Sequence, residues 1–500
     1  MRTDTNHINP FNTLTGSASL ANPKGVLLLF ATAALVAIIL AKLEIVGVGV
    51  LVAILIGSVY LYVLFNSPII GFYTAIGLNF ILNGMARYIQ GVPLGFGIDG
   101  IMIVTFLAII FSKFKERVNW APANQHITIF AGIWLGYCIF QLVNPEARMI
   151  EPWIAGRGIG FYFFFFVVLT FMLIDTNRKL DTFLYVWGVF SIIATLKGIG
   201  QMFFGLDYAE QAWLDNGGAE THMLFGKLRV FSFFSDAGQF GGNQGLAGVV
   251  FLIYSMTKKG LTKGFFLAVG ILGLYGMMIS GTRGSIAVPF AGFMTFFVLR
   301  KNMKILGGGV LCIALIFIFF KYTTIANGNH QVRRMRGAFD PNNKSMQVRL
   351  DNQKILKGYL ASRPFGGGIG HAGDKAQRFL PNAFLSNVAT DSWYVLIWAE
   401  LGIIGLILHL LILVYVIGRA SYKVMFTIRD PIIKLKMSAL ISGMAGVMLA
   451  SYGNAIFGGM PTALLMYASM VIISHPEIFE RTIKEQESSL ITAKKVLKVQ

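Results

Sequence analysis

Apolar runs of about 18 residues or more recur from one end of this chain to the other, and a run of that length is what an α-helix needs to cross bilayer hydrocarbon. Hydrophobic residues make up 55% of the 500, which excludes a string of soluble domains. The runs lack the alternating period of a barrel strand, and a helix satisfies its own backbone polar groups inside lipid. The expectation is therefore an all-α fold, a polytopic membrane helical bundle.

Apolar segments lie near 25–42, 44–64, 69–84, 98–112, 126–143, 158–175, 182–204, 243–257, 264–280, 285–299, 305–322, 391–418, 435–452 and 457–474. That predicts about 14 (12–14) transmembrane helices. The net charge of +19 would suggest nucleic acid for a soluble protein, but here it divides by membrane side and gives topology instead. Basic clusters at Lys113, Arg178, Lys258, Arg300 and Arg419 to Lys436 fall on one side, together with the tail around Lys494. The positive-inside rule makes that side cytoplasmic. The predicted organisation is a cytoplasmic tail over 1–24, helices 1–11 over 25–322, a large extracytoplasmic (periplasmic) loop over 323–390, helices 12–14 over 391–474, and a cytoplasmic tail over 475–500. Met1 to Pro23 carries one basic residue and precedes no clear cleavage site, so the first run reads as an uncleaved anchor. Cys138 and Cys312 both fall inside apolar runs, against a structural disulfide or a zinc site.

A few arginines stand where apolar chains seldom keep them. Arg157, Arg229 and Arg283 each flank a membrane-length run on the predicted outer side. A cation beside hydrocarbon is costly unless it meets an anion or water. Arg283 occupies the tight turn Ser280-Gly-Thr-Arg-Gly-Ser285, where it either lines a site or snorkels to lipid phosphate. Arg229 precedes Asp236, with which it either forms an internal pair or serves a ligand. The predicted loop 323–390 holds ten Lys or Arg against three Asp, a surface suited to anionic headgroups or to a phosphorylated substrate. Two GxGxxG matches, Gly95 to Gly100 and Gly368 to Gly373, follow no predicted strand and are rejected as dinucleotide sites. No phosphate loop, HExxH or acidic metal cluster is recognisable in the sequence, so no metal and no cofactor is expected.

Three pieces then come in a telling order. An Arg precedes a small-residue and Phe-rich turn (Lys227 to Gly242), a Ser-x-Arg-Gly lies at a hairpin, and Ser362-Arg-Pro-Phe-Gly-Gly-Gly-Ile-Gly370 leads to Thr390-Asp-Ser-Trp-Tyr394 and Glu400-Leu-Gly-Ile-Ile-Gly405. Over roughly 155–410 this order resembles the O-antigen ligase and polymerase superfamily, which includes exopolysaccharide polymerases. The resemblance implies a glycosyltransferase C-like bundle in the bacterial cytoplasmic (inner) membrane. It implies transfer of glycans from undecaprenyl pyrophosphate at the outer face, with lipid-linked donor and acceptor and a chain-length regulator protein as partners, alongside membrane lipid and no nucleic acid. Ligases of this superfamily usually carry His-Asn where this chain reads Asp391-Ser392, which favours polymerase over ligase. A flippase or transporter for lipid-linked glycan is the non-enzyme alternative, and arginines at span ends rather than mid-span argue against it.

Breaking a sugar–diphosphate bond builds negative charge on the leaving group, which guanidinium groups stabilise without a metal. Arg suits this better than Lys, because its planar fork grips two oxygens and stays charged in a poorly hydrated site. The expected diphosphate ligands are Arg229 and Arg283, supported by Arg157 and Arg363. An attacking hydroxyl needs a base, and the candidates in falling order are Asp391, His371 and Asp236. A helix N-cap is the plain alternative for Asp391, and a solvated loop position for His371. Arg333, Arg334, Arg336 and Arg349 belong to an expected lid, with a hinge at 366–368 and Gly368 and Gly370 within it.

Overall fold

The computed structural model describes residues 47–89, 93–111, 118–224, 226–339 and 344–483. The chain divides into two units, 1–67 and 68–500. The described part of the first is essentially one exposed apolar helix, α1 (Gly47–Asn66). The predicted run 25–42 lies outside the described residues.

The second unit begins with α2 (Ile69–Met85), α3 (Gly95–Phe111) and α4 (His126–Phe140). Helices α5 (Ile150–Gly156) and α6 (Gly158–Leu173) are halves of one apolar stretch, interrupted at Arg157. Next come α7 (Asn177–Phe203), the short α8 (Tyr208–Trp213) and α9 (Ala219–His222), and a two-residue ribbon of β1 (Met223–Leu224) and β2 (Lys227–Leu228). The bundle continues with α10 (Ala237–Ser255), α11 (Gly260–Ile279), α12 (Ala287–Leu299) and α13 (Met303–Tyr322). Between α13 and the next long helix lie α14 (His330–Arg336), α15 (Lys344–Leu360) and α16 (Asp374–Gln377). Helices α17 (Trp393–Tyr422), α18 (Pro431–Ala450) and α19 (Thr462–Ser474) close the bundle. Among the described residues, eight helices are long and apolar enough to cross a membrane, or nine if α19 and the bent segment after it form one span. This is an all-α polytopic membrane protein.

Helix α10 departs from the expectation of a span beginning at residue 243. It starts at Ala237, six residues earlier, through the polar sequence Gly-Gln-Phe-Gly-Gly-Asn-Gln. That stretch is helical because it lies in the protein interior, where partners replace water. Gln244 accepts from the Ser191 and Thr195 hydroxyls at 2.9 and 3.1 Å, and the Asn243 amide donates to Thr462 Oγ1 at 3.1 Å. Small residues bring the neighbours close, as a Cβ on Gly273 would sit 2.8 Å from the Gln244 carbonyl oxygen. Helices α11 and α18 pack along α10.

The two ends of the bundle carry different charge arrangements. At one end Asp181 of α7 meets Lys258 at 2.6 Å, the Tyr254 hydroxyl at 2.8 Å, and Lys436. Lys436 counts with the loops by sequence, yet it is 1% exposed within α18. A carboxylate from another helix is what permits that burial. At the opposite end lie the turn between α11 and α12, the start of α10, and the described residues 323–339 and 344–392.

That segment is anchored by glycines. Helix α17 breaks at Gly402, whose φ of +69° is left-handed. Into the break comes the chain from Arg363 to Gly370: the Gly367 and Gly368 amides donate to the Ala399 and Glu400 carbonyls, each at 2.8 Å. A Cβ on Gly402 would overlap the Pro364 carbonyl oxygen, and one on Gly366, with φ +75°, would overlap the Gly402 amide. Gly368 packs on Ala147 and Gly370 on the Pro152 carbonyl, both with positive φ. Residues 366–373 are buried. The expected hinge is therefore a clamp, because backbone in contact with backbone leaves no room for the swing a hinge requires.

Gly402→Ala is expected to lower the melting temperature of the purified protein measurably, since a left-handed alanine costs about 1–2 kcal/mol before any overlap is counted. Gly418→Ala in the same helix, where a Cβ meets nothing within 4 Å, is the control and leaves the melting temperature unchanged. Equal melting curves for the two variants would remove the clamp.

Candidate active site

Three arginines converge on the three-residue turn Gly281-Thr282-Arg283. Gly281 ends α11 with φ +59°. Its carbonyl accepts from Arg334 Nε of α14, and a Cβ at this position would lie 2.9 Å from the Arg334 side chain. Thr282 accepts from Arg229 at 3.0 Å while its hydroxyl donates to the Ala237 carbonyl at 2.9 Å. Arg283 contributes its own guanidinium. With His330, Arg333 and Gly337, Arg283 and Arg334 line a cavity of about 190 Å³.

The local folding around Arg229 explains its position. The β-ribbon brings the Arg229 amide to the His222 carbonyl at 2.8 Å, and the guanidinium donates to the Thr221 carbonyl at 2.8 Å. His222 Nε2 accepts from the Ala237 amide at 3.1 Å, so the ring carries its proton on Nδ1, which donates to the Gly218 carbonyl. Asp236 caps α10 through the Gln239 amide at 2.9 Å and accepts from the Ser235 hydroxyl at 2.8 Å. Arg87, which sequence reasoning missed, clamps this turn: it donates to the Phe234 and Ser235 carbonyls at 2.5 and 3.1 Å and lies 4.3 Å from the Phe231 ring.

Electrostatics set this end apart. Among the described residues no carboxylate lies within ion-pair distance of Arg229, Arg283, Arg333 or Arg334. Burial pushes the Arg334 guanidinium down to about 10, with the charges of Arg229 and Arg283 adding to the effect. Burial also lowers Arg229; Asp236 opposes the shift, while Arg283 and Arg349 reinforce it. His330 is lowered by burial and by Arg334, Arg333 and Lys227. Like charges gathered without a carboxylate in direct contact form a site that an external anion stabilises.

The other expected residues are distributed around this cluster. Asp391 is not a cap: Ser392 takes the N-cap position of α17, and its hydroxyl donates to the Ser451 carbonyl instead. The Asp391 carboxylate meets Arg349 Nε of α15 at 3.2 Å and is 45% exposed. Asp236 forms no ion pair with Arg229 among the described residues. Arg157 pairs with Asp99 of α3, its Nε at 2.8 Å, and stacks 4.1 Å from the Phe96 ring. Arg363 meets Glu146 at 3.1 Å. Arg336 points away from the cavity, donating to the Ile325 carbonyl at 2.5 Å. His371, expected in a solvated loop, is 4% exposed, because the glycine clamp folds the loop over it. Of the residues expected to hold diphosphate, the structure brings Arg229 and Arg283 together and leaves Arg157 and Arg363 in separate ion pairs. Arg334 and His330 join the cluster, the first from the expected lid and the second missed outright. The basic run His-Gln-Val-Arg-Arg-Met-Arg gave no sign of which arginine turns inward.

These features define a multi-pass membrane protein with a cationic cavity at one end of its bundle. Residues 267–410 match the O-antigen ligase family. That region contains the Arg283 turn, α14, α15, the glycine clamp and Asp391, but not Arg229. The chain is also similar to an O-antigen polymerase of Salmonella muenchen, 24% identical over 342 residues that cover 64% of this chain and 81% of the relative. Both findings support the O-antigen ligase and polymerase superfamily, the one that the order of the motifs resembles.

Burial holds His222 down to about 4 against an ordinary value of 6.5, with Arg229 contributing and Asp236 opposing. As pH falls from 6.5 toward 4 the unfolded chain takes up this proton and the folded chain does not, so stability declines through that window and recovers above it. Hydrogen exchange of the Ala237 amide should accelerate as the local structure opens over the same interval, beyond the intrinsic pH dependence. His222→Phe, which cannot be protonated, should abolish that excess, and an unchanged profile would refute the role given to His222.

Proposed function

We propose that this protein is a membrane glycosyltransferase that polymerises undecaprenyl-pyrophosphate-linked oligosaccharide repeat units into O-antigen or exopolysaccharide at the outer face of the bacterial inner membrane. The observation that carries the reading is the convergence of Arg229, Arg283 and Arg334 on one turn, with no carboxylate among the described residues to neutralise them. A long polyprenyl carrier is reached from within the bilayer, which accounts for a catalyst that is nearly all membrane helix. The large segment between α13 and α17 is extracytoplasmic in this reading, and the lysine-rich end of the bundle is cytoplasmic.

An acceptor hydroxyl attacks the anomeric carbon, the bond from that carbon to the diphosphate oxygen breaks, and both electrons leave with the diphosphate. Arg283 and Arg334, backed by Arg229, meet the charge that develops there. A diphosphate is already a weak base, so its departure needs no general acid. Asp391, oriented by Arg349, takes the acceptor proton. The match of residues 267–410 to a family described as O-antigen ligase supports a second reading, transfer of finished polymer to lipid A core or to protein.

Arg283→Ala should lower turnover about 10²-fold or more while the protein still inserts, and Arg283→Lys should restore little, because an ammonium lacks the two-pronged grip. The measurement is polymer length and released undecaprenyl pyrophosphate from purified protein and lipid-linked repeats with no energy source. Unchanged chain lengths in Arg283→Ala would end the assignment, and absence of any product from the wild type would favour a transporter. In a deletion strain a polymerase leaves single repeats, whereas a ligase leaves long chains stranded on the carrier. Asp391→Asn keeps the side-chain shape and removes the base, so turnover should fall at least tenfold with substrate binding intact; retention of full turnover would assign proton removal elsewhere.

A further inference from the structure

A second cavity, of about 360 Å³, lies beyond the far end of α15 from Arg349 and has a different chemical character. Arg349 and Tyr359 stand ten residues apart on α15, which places them about 15 Å from each other along the helix axis. Tyr359 lines the second cavity together with Phe384, His371, Asn382, Glu146 and Arg148. The Phe384 ring stacks on Tyr359 at 4.4 Å and 16°, while remaining 43% exposed. Arg363, itself held by Glu146, lies 4.1 Å from the Tyr359 ring centre and stiffens that wall.

His371 lies in the wall of the same cavity. The residue is 4% exposed, its Nδ1 donates to the Ile369 carbonyl at 3.0 Å, and Nε2 is therefore a lone-pair acceptor. That nitrogen is buried with no hydrogen-bond partner, in a residue that lines the cavity.

The wall thus offers an acceptor at Glu146, donors at Arg148 and Asn382, and an exposed aromatic ring at Phe384. Separate donors and acceptors around an aromatic face suit a ring that carries hydroxyls on its edge and C–H bonds on its face. A diphosphate is held less well here, because Arg148 is the one cation among the lining residues and the Glu146 carboxylate stands in the same wall. The arginine-lined cavity has the reverse preference.

We propose that this cavity is a saccharide subsite, which binds uncharged sugar rings of the glycan while the arginine cluster holds the diphosphate, with α15 as the spacer between them. The proposal rests on the transferase reading given above. The glycan in question belongs either to the donor repeat or to the acceptor chain, and the chemistry is the same for both.

The test uses full-length protein in lipid nanodiscs and two probes: the repeat oligosaccharide freed from its carrier by mild acid, and undecaprenyl pyrophosphate without sugar. Phe384→Ala and Asn382→Ala, both at exposed positions, should each weaken oligosaccharide binding at least tenfold by calorimetry or saturation-transfer NMR. Both should leave undecaprenyl pyrophosphate binding within twofold of wild type. Kinetics with donor and acceptor varied separately then identify the source: a raised KM for the donor in Phe384→Ala assigns the subsite to the donor repeat, and a raised KM for the acceptor assigns it to the acceptor chain. Oligosaccharide binding that is absent in the wild type or unaffected in both variants overturns the proposal. Failure of undecaprenyl pyrophosphate to bind the wild type would instead strike at the transferase reading, which the oligosaccharide arm does not test.

Discussion

Close approach of backbone to backbone at glycine is the constraint on which the rest of this structure depends. Gly366 and Gly402 each occupy space that the other's Cβ would need, and the amides of Gly367 and Gly368 replace partners that the broken helix α17 lacks. Unpaired carbonyls inside a membrane protein are costly, so a loop that pairs them is held firmly. Gly281 serves the same end on the other side of the site, where the absence of a side chain lets Arg334 lie across the turn and reach its carbonyl. Arg334, on α14, is held by the Gly281 carbonyl, and Arg349, on α15, by Asp391.

Held in this way, the cationic groups divide into two kinds. Arg157, Arg349 and Arg363 each meet a carboxylate, and Arg87 lies against aromatic rings and backbone carbonyls. Arg229, Arg283 and Arg334 meet only neutral groups and one another. Mutual repulsion between guanidinium groups in a partly buried turn opposes folding, and the anchored backbone is what holds them together. Such stored repulsion suits a site that must stabilise charge appearing on a leaving group, since the field is in place before the bond breaks.

Much of the fold was legible because hydrophobic run length is a local property. Every predicted apolar segment within the described residues corresponds to a helix, although boundaries moved where burial replaced water, as at the polar start of α10 and at Lys436. The site was legible in part. The placement of Arg229 and Arg283 beside apolar runs singled them out, since lone cations there need a reason. Arg157 gave the same signal and proved to be neutralised by Asp99, a residue 58 positions away that no spacing rule connects to it. Arg334 was hidden among neighbouring arginines, and His371, a candidate base with a solvated loop position as its plain alternative, carried no local sign that the glycine clamp would bury it.

Taken alone, the sequence determined that the chain is a helical membrane protein, which residues were unusual cations, and which glycine motifs mattered, because each follows from residue type and local spacing. Only the tertiary structure decided which arginines have carboxylate partners, that Asp391 faces Arg349 rather than capping α17, and that Gly366 to Gly370 form a clamp rather than a hinge. Pairing and burial depend on segments far apart in the chain, and their meeting is set by three-dimensional packing that no local pattern encodes.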